Sequence, residues 1–218
     1  MKMHNPFANV ETVAGYEAWY RTDGCKADQQ EKSILKWLLS GFPAAHSILE
    51  VGCGSGHFTR WFIEQGLRAV GLDLSHPMLE ESKRLGSEFL LQGDALRLPI
   101  LSKSFDLTAL ITTLEFLPNS VQALTEALRV ARQGIILGVL NRQSCLGRKH
   151  KRSGGPIWKY ARLFTPYELK QAILEAVGER VNIIWCTILW PLWPTSLPLP
   201  WGGFIGMSAN QMREGELT

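Results

Sequence analysis

A glycine-rich loop between two apolar segments constrains the fold of this chain more than any other feature. The apolar run Ile48-Leu49-Glu50-Val51 is followed by glycine at positions 52, 54 and 56, and an amphipathic segment starts at His57. This order is typical of a buried strand, a tight turn and a helix start, where backbone can closely approach a nucleotide-like ligand. The alternative is a plain strand-to-helix turn, since one glycine-rich loop is a weak signal.

Two aspartates strengthen the ligand interpretation because each ends a later apolar run. Asp73 follows Gly71-Leu72, twenty-one residues after Gly52, and Asp94 follows Gln92-Gly93. Asp73 is suited to accept two hydrogen bonds from a ribose diol, or it is the N-cap of a helix starting at His76-Pro77. Asp94 is suited to accept from an exocyclic amine such as that of adenine, or it is a turn residue beside Gly93.

The remaining segments alternate between strand and helix patterns, which indicates βαβ units and a parallel sheet. Thr165 is a predicted N-cap with Pro166 in the first turn of its helix. Helices are predicted over residues 10–20, 27–40, 58–65, 77–85, 120–131 and 166–177. Strands are predicted over residues 47–51, 69–72, 88–92, 106–111, 134–139, 181–189 and 204–209. The fold class is therefore α/β, doubly wound, and its ligands should bind beyond the carboxyl ends of the strands.

Composition limits the class of protein further. The 218 residues suit one domain, and a net charge of +3 is too small to imply nucleic acid as a partner. The four cysteines are far apart, so a disulfide framework or a metal site is not expected. The N-terminus lacks the apolar core of a signal peptide, and prolines interrupt the apolar region over residues 183–207. We expect a cytoplasmic protein without a membrane span.

The glycine spacing separates two ligand classes, dinucleotides and S-adenosylmethionine. A dinucleotide fingerprint requires G-x-G-x-x-G, whereas here Gly56 is followed by His57-Phe58. Four segments together resemble the motifs of class I S-adenosylmethionine-dependent methyltransferases. They are the glycine-rich loop, Gly71-Leu72-Asp73-Leu74-Ser75, Gly93-Asp94-Ala95 and Ser104-Phe105-Asp106. The branch most similar is methyltransferase type 11, over about residues 10–180. The resemblance implies a Rossmann-like, mostly parallel seven-stranded sheet with a reversed last strand and helices on both faces.

The same resemblance implies a set of cofactor-binding residues. Gly52, Gly54 and Gly56 would lie under the methionine part of S-adenosylmethionine, with Glu50 behind it, acting through water. Asp73 would hold the ribose, and Leu74 would pack on the adenine. The adenine edge would meet Asp94 and Ala95, and the implied set also contains Cys53 and Ile111. A helix over residues 16–20 would cover the cofactor with Tyr16 and Trp19, since aromatic faces attract a sulfonium; alternatively, these rings only pack the helix on the sheet.

Glu115 is the candidate catalytic residue, because many relatives carry a pair of histidines where this chain has Glu115-Phe116. A carboxylate there could act as a general base or bind an amine, or it could be a solvated residue at a loop start. The basic segment with Arg142, Arg148, Lys149, Lys151 and Arg152 could attract an anionic group or RNA, or be a plain surface loop.

We predict one methyltransferase domain over residues 1–218. It divides into a helical cap (1–41), a cofactor-binding core (42–140), and substrate-side loops with the last two strands (141–218). The expected reaction is in-line methyl transfer to a small acceptor. Tryptophans and prolines over residues 190–201 favour a partly apolar or aromatic acceptor, with the basic loop admitting an anionic group, unless these tryptophans only cover the sheet edge. The alternative is a non-catalytic cofactor-binding regulatory module, and a nicotinamide oxidoreductase is the more distant one.

Overall fold

A computed structural model describes residues 7, 17–20, 22, 24–145, 147–148, 159–188 and 196–211. Residues 17–20 are helical; the rest of the helix predicted over residues 10–20 lies outside the described residues. No helix in the described ranges is long and apolar enough to span a membrane.

One mixed sheet organises the molecule, in the order β3-β2-β1-β4-β5-β8-β6-β7. The strands are β1 (Ser47–Val51), β2 (Arg68–Asp73), β3 (Leu90–Gln92), β4 (Phe105–Ile111), β5 (Ala131–Leu140), β6 (Val181–Ile188), β7 (Ser196–Leu197) and β8 (Phe204–Gln211). Strands β1 to β5 pair in parallel, and β8 is antiparallel to both β5 and β6. The seven longer strands thus confirm the mostly parallel sheet with a reversed last strand.

The two-residue strand β7 was not predicted and extends the sheet at the β6 edge. It lies in the proline-rich segment, where no alternating pattern marks a strand. The helices agree with the predicted ones to within two residues. They are α1 (Cys25–Leu39), α2 (His57–Glu64), α3 (His76–Arg84), α4 (Ser120–Val130) and α5 (Pro166–Val177), with a 3₁₀ turn η1 (Leu114–Phe116).

Two hydrophobic cores cover the two faces of the sheet. The face with Leu49 and Leu110 packs against α4 and α5. The opposite face, with Ile48 and Ala109, packs against α1 and α2. Because side chains alternate along a strand, the nearly unbroken apolar strands supply both cores, and the polar residues are left for the strand ends.

Helix ends agree with the capping chemistry of the sequence. The predicted N-cap Thr165 forms a full capping box with Glu168. Helix α3 is capped instead by Ser75, whose Oγ accepts a 3.4 Å hydrogen bond from Met78 N. The alternative interpretation of Asp73 as this cap is therefore wrong, and the carboxylate of Asp73 is held by other groups.

Candidate functional site

The glycine-rich loop turns sharply where β1 ends. Gly52 has a φ of +76°, a conformation that other residues rarely adopt, and a Cβ at this position would overlap the side chain of Thr113. The amides of Gly52 and Cys53 both donate to Leu72 O, at 2.7 and 3.0 Å. The loop is thereby fixed against the end of β2, and it brings backbone close to the end of β4.

Asp73 connects this loop to the end of β2. Its Oδ2 accepts from Gly54 N and its Oδ1 accepts from Ser75 N, both at 2.8 Å. Burial raises the pKa of Asp73, and the backbone hydrogen bonds from Ser75, Gly54 and Leu74 oppose that rise. The carboxylate is therefore an oriented acceptor at the carboxyl edge of the sheet.

Asp94 combines both roles considered for it. Its Oδ1 accepts a 2.9 Å hydrogen bond from Leu96 N, and its carbonyl accepts from Arg97 N, so it does shape a turn. The residue is nevertheless exposed, and it lines a cavity that also contains Asp73.

The cavity lies beyond the carboxyl ends of four adjacent parallel strands. Half of the Leu74 side chain is exposed there, and Phe116 meets Phe7 edge to face at 5.0 Å between ring centroids. The lining residues comprise Phe7, Gly52, Gly54, Leu72, Asp73, Leu74, Met78, Gly93, Asp94, Ala95, Leu96, Thr112, Thr113, Phe116, Leu117 and Pro118. Largely apolar walls with two aspartates among them suit a flat heteroaromatic ring attached to a sugar.

Several predicted site residues lie outside this lining. Gly56 starts α2, and a Cβ there would overlap Ser82 Oγ. The Cys53 side chain is buried against Gly71, where desolvation raises the pKa of its thiol well above the ordinary value. Ile111 packs in the core on the α1 side. Trp19 is 40% exposed and packs edge-on against a neighbouring ring, whereas Tyr16 lies outside the described residues.

Glu50, near the end of β1 and just before the loop, is buried. Thr59 Oγ1 donates to its Oε2. Desolvation raises the pKa of Glu50 to about 8, with the negative charge of Asp73 acting in the same direction and Thr59 and Arg60 opposing it. Burial therefore favours the neutral form of this carboxyl.

Sequence reasoning missed Glu17, which attaches the N-terminal segment to the loop. Its Oε1 accepts from Ser55 Oγ at 2.6 Å and from Arg60 Nη2 at 3.1 Å. Arg60 also donates to Ser55 O at 2.7 Å. The predicted cap thus contacts the glycine loop through a charged network rather than through aromatic rings alone.

Glu115 is buried, with 1% of its surface exposed, so the interpretation as a solvated loop residue is wrong. Its Oε1 accepts a 2.7 Å hydrogen bond from Leu140 N at the end of β5, whereas its Oε2 has no hydrogen-bond partner among the described residues. Desolvation raises its pKa to about 7, against the hydrogen bond from Leu140. A second buried carboxyl, Glu31 on α1, has its pKa raised to about 8 by burial and by the charges of Asp28 and Glu115.

The basic segment is only partly described. Arg142 Nη2 pairs with Glu168 Oε1 at 2.9 Å, and Arg148 N donates to Ser144 O. The described residues do not include Lys149, Lys151, Arg152, Trp190 and Trp193. Trp201 is described, and 63% of its surface is exposed. Because Arg142 already has a carboxylate partner, it contributes little free positive charge to an acceptor site.

Comparison with known proteins gives consistent matches. The family model of the type 11 methyltransferase domain matches residues 49–138. A Thermotoga maritima structure, described as an S-adenosylmethionine-dependent methyltransferase and possible histamine N-methyltransferase, superposes with a TM-score of 0.80 at 26% identity, covering 97% of this chain and 100% of that one. Residues 49–138 therefore match the type 11 methyltransferase domain, and the chain has the fold of S-adenosylmethionine-dependent methyltransferases. S-adenosylmethionine is the cofactor of this family.

Curated relatives include an uncharacterized Methanocaldococcus jannaschii protein, 28% identical over 73% of this chain and 75% of its own length. A malonyl-[acyl-carrier protein] O-methyltransferase from Pectobacterium atrosepticum is 29% identical over 59% of this chain. The match spans only 52% of that enzyme.

Proposed function

We propose that the chain transfers a methyl group from S-adenosylmethionine to a small-molecule acceptor. The supporting observation is the convergence of Gly52, Asp73 and Asp94 on one apolar-walled cavity at the carboxyl edge of the sheet. These residues fit the cofactor, because a glycine turn admits its chain while two carboxylates and the exposed Leu74 suit a ribose and an adenine. When bound, the cofactor supplies a sulfonium that makes its methyl group electrophilic.

The lining supports the following residue assignments. Asp73 accepts from the ribose hydroxyls, and Asp94 accepts from the adenine amine through the oxygen not used by Leu96 N. Leu74 covers the adenine face, and Gly52 and Gly54 pass beneath the methionine part. Four other predicted contacts act from behind the cavity, where they hold the loop and the end of β4. They are Glu50, Gly56, Cys53 and Ile111. Ala95 borders the adenine edge, and Tyr16 and Trp19 stay predictions for the cover.

The acceptor side lies between the ends of β4 and β5. We keep the prediction of a partly apolar or aromatic acceptor, which Phe116, Leu117 and Trp201 support. The predicted anionic group has weaker support, since Arg142 is paired with Glu168. Methyl transfer needs alignment more than acid–base chemistry, and such positioning supplies roughly 7–11 kcal/mol of a barrier.

Release of S-adenosylhomocysteine, measured across a panel of amine, alcohol, carboxylate and thiol acceptors, tests this proposal. Turnover with one acceptor class, absent in Asp73→Ala, is the expected result. Tight cofactor binding without turnover on any acceptor would favour the alternative of a non-catalytic regulatory module. The conservative control Glu175→Gln, an exposed α5 residue remote from the cavity, should behave as the unaltered protein does.

A further inference from the structure

Two buried carboxyls, Glu31 and Glu115, lie towards the same end of the sheet, and packing along α1 sets the level of Glu31. The ring of Phe42, just after α1, packs against Gly134 of β5, at the position that a Cβ there would need. The side chain of Ile34 packs in the same way against Gly206 of β8. Gly206 pairs with Gly138, so α1 runs antiparallel to β5. Glu31, one turn before Ile34, therefore reaches the carboxyl end of β5, where Glu115 accepts from Leu140 N.

Neither carboxyl forms an ion pair within the described part of the chain. Glu115 Oε2 is also fully buried there without a hydrogen-bond partner. The charged groups that act on Glu31 are Asp28, Glu115 and, in the opposite direction, Lys32, whose Nζ is bonded to Asp28 Oδ2 at 2.8 Å. An unpaired buried carboxyl costs free energy unless a ligand completes it.

Glu115 lies beside the cofactor cavity. Thr113 and Phe116, which flank Glu115 in and beside η1, both line that cavity, and Thr113 Oγ1 donates to Gly52 O at 3.2 Å. A group bound by Glu115 would thus lie next to the start of the glycine-rich loop. Asp73 ends β2, whereas Glu115 follows β4 on the other side of β1, so the two carboxyls belong to opposite sides of the site.

We propose that Glu31 and Glu115 bind a protonated amine of the methyl acceptor, with Glu115 Oε2 accepting one of its N–H groups. The proposal rests on the proposed function and specifies its substrate class. A carboxylate pair without a described counter-ion favours an organic cation and disfavours an anionic acceptor. The malonyl-type acceptor named for some relatives would therefore be a poor ligand of this chain.

Calorimetric binding of matched ligands tests the proposal in the presence of S-adenosylhomocysteine. The amine probes are histamine and tyramine, and their acid counterparts are imidazole-4-acetate and 4-hydroxyphenylacetate. The variants are Glu115→Gln, Glu31→Gln and the exposed control Glu175→Gln, each checked for folding by thermal melting. If Glu115→Gln does not fold, the test uses Glu31→Gln and Glu115→Asp instead.

We expect at least one amine to bind the unaltered protein and Glu175→Gln equally, and its acid counterpart to bind neither. Loss of a hydrogen bond to a charged group predicts about ten- to hundredfold weaker amine binding in Glu115→Gln and Glu31→Gln. The proposal would be overturned if the amines bind no more tightly than the acids, or if both substitutions leave the amine affinity unchanged. Binding of S-adenosylhomocysteine itself, titrated in every variant, reports separately on the proposed function.

Discussion

The pH dependence of folding should reveal the unpaired carboxyl of Glu115. Burial raises its pKa from 4.5 to about 7, so the folded state holds the proton over a range where the unfolded chain has lost it. The contribution to stability is therefore fully present below pH 4.5 and is lost as the pH rises towards 7. In Glu115→Gln this loss cannot occur. Between pH 5 and 8.5, the stability of the variant relative to the unaltered protein should increase by about 2–3 kcal/mol.

Urea unfolding at several pH values measures this difference directly. Comparing the two proteins across pH cancels the constant cost of the glutamine amide, whose oxygen can still accept from Leu140 N while its NH₂ lacks a partner. The matched control is Glu175→Gln, which makes the same substitution at an exposed residue of α5. A constant difference between Glu115→Gln and the unaltered protein from pH 5 to 8.5 would refute the assigned burial.

Three further substitutions test the cofactor side. Asp94→Asn should reduce the preference for adenine over hypoxanthine in cofactor analogues, measured by calorimetry; an unchanged affinity ratio would leave Asp94 as a turn residue only. Gly52→Ala forces a Cβ into Thr113, and the strained turn should lower the thermal midpoint and abolish cofactor binding, whereas wild-type behaviour would contradict the described loop. Glu17→Gln should weaken cofactor binding severalfold by loosening the contact with Arg60, and an unaltered affinity would make that contact structural only.

The fold and the cofactor side could be predicted because they follow from local patterns. Alternating strand and helix segments fix the parallel order, and a parallel order brings Gly52, Asp73 and Asp94 to one edge regardless of side-chain detail. Strand β7 could not be predicted, since two residues carry no periodicity. The capping role of Ser75 instead of Asp73 depends on a two-residue shift, which sequence patterns do not resolve.

The buried carboxyls could be predicted less well, because long-range packing decides their environment. Glu115 meets Leu140 N, 25 residues later in the chain, and nothing near Glu115 in the sequence indicates that contact. For Glu31 a signal did exist: it shares the apolar face of α1 with Ile34, Leu35 and Leu38, so a charged residue there is unexpected. Glu17 contacts residues 38 and 43 positions away, beyond any local pattern.

Cofactor binding by Asp73→Ala tests the central claim most directly. Calorimetry should show that the unaltered protein binds S-adenosylmethionine and not NAD. Removing the carboxylate deletes hydrogen bonds to a charged group, so Asp73→Ala should bind S-adenosylmethionine ten- to more than a hundredfold more weakly, roughly, while remaining folded. Unchanged affinity in a folded Asp73→Ala, or binding of NAD in place of S-adenosylmethionine, would contradict the account.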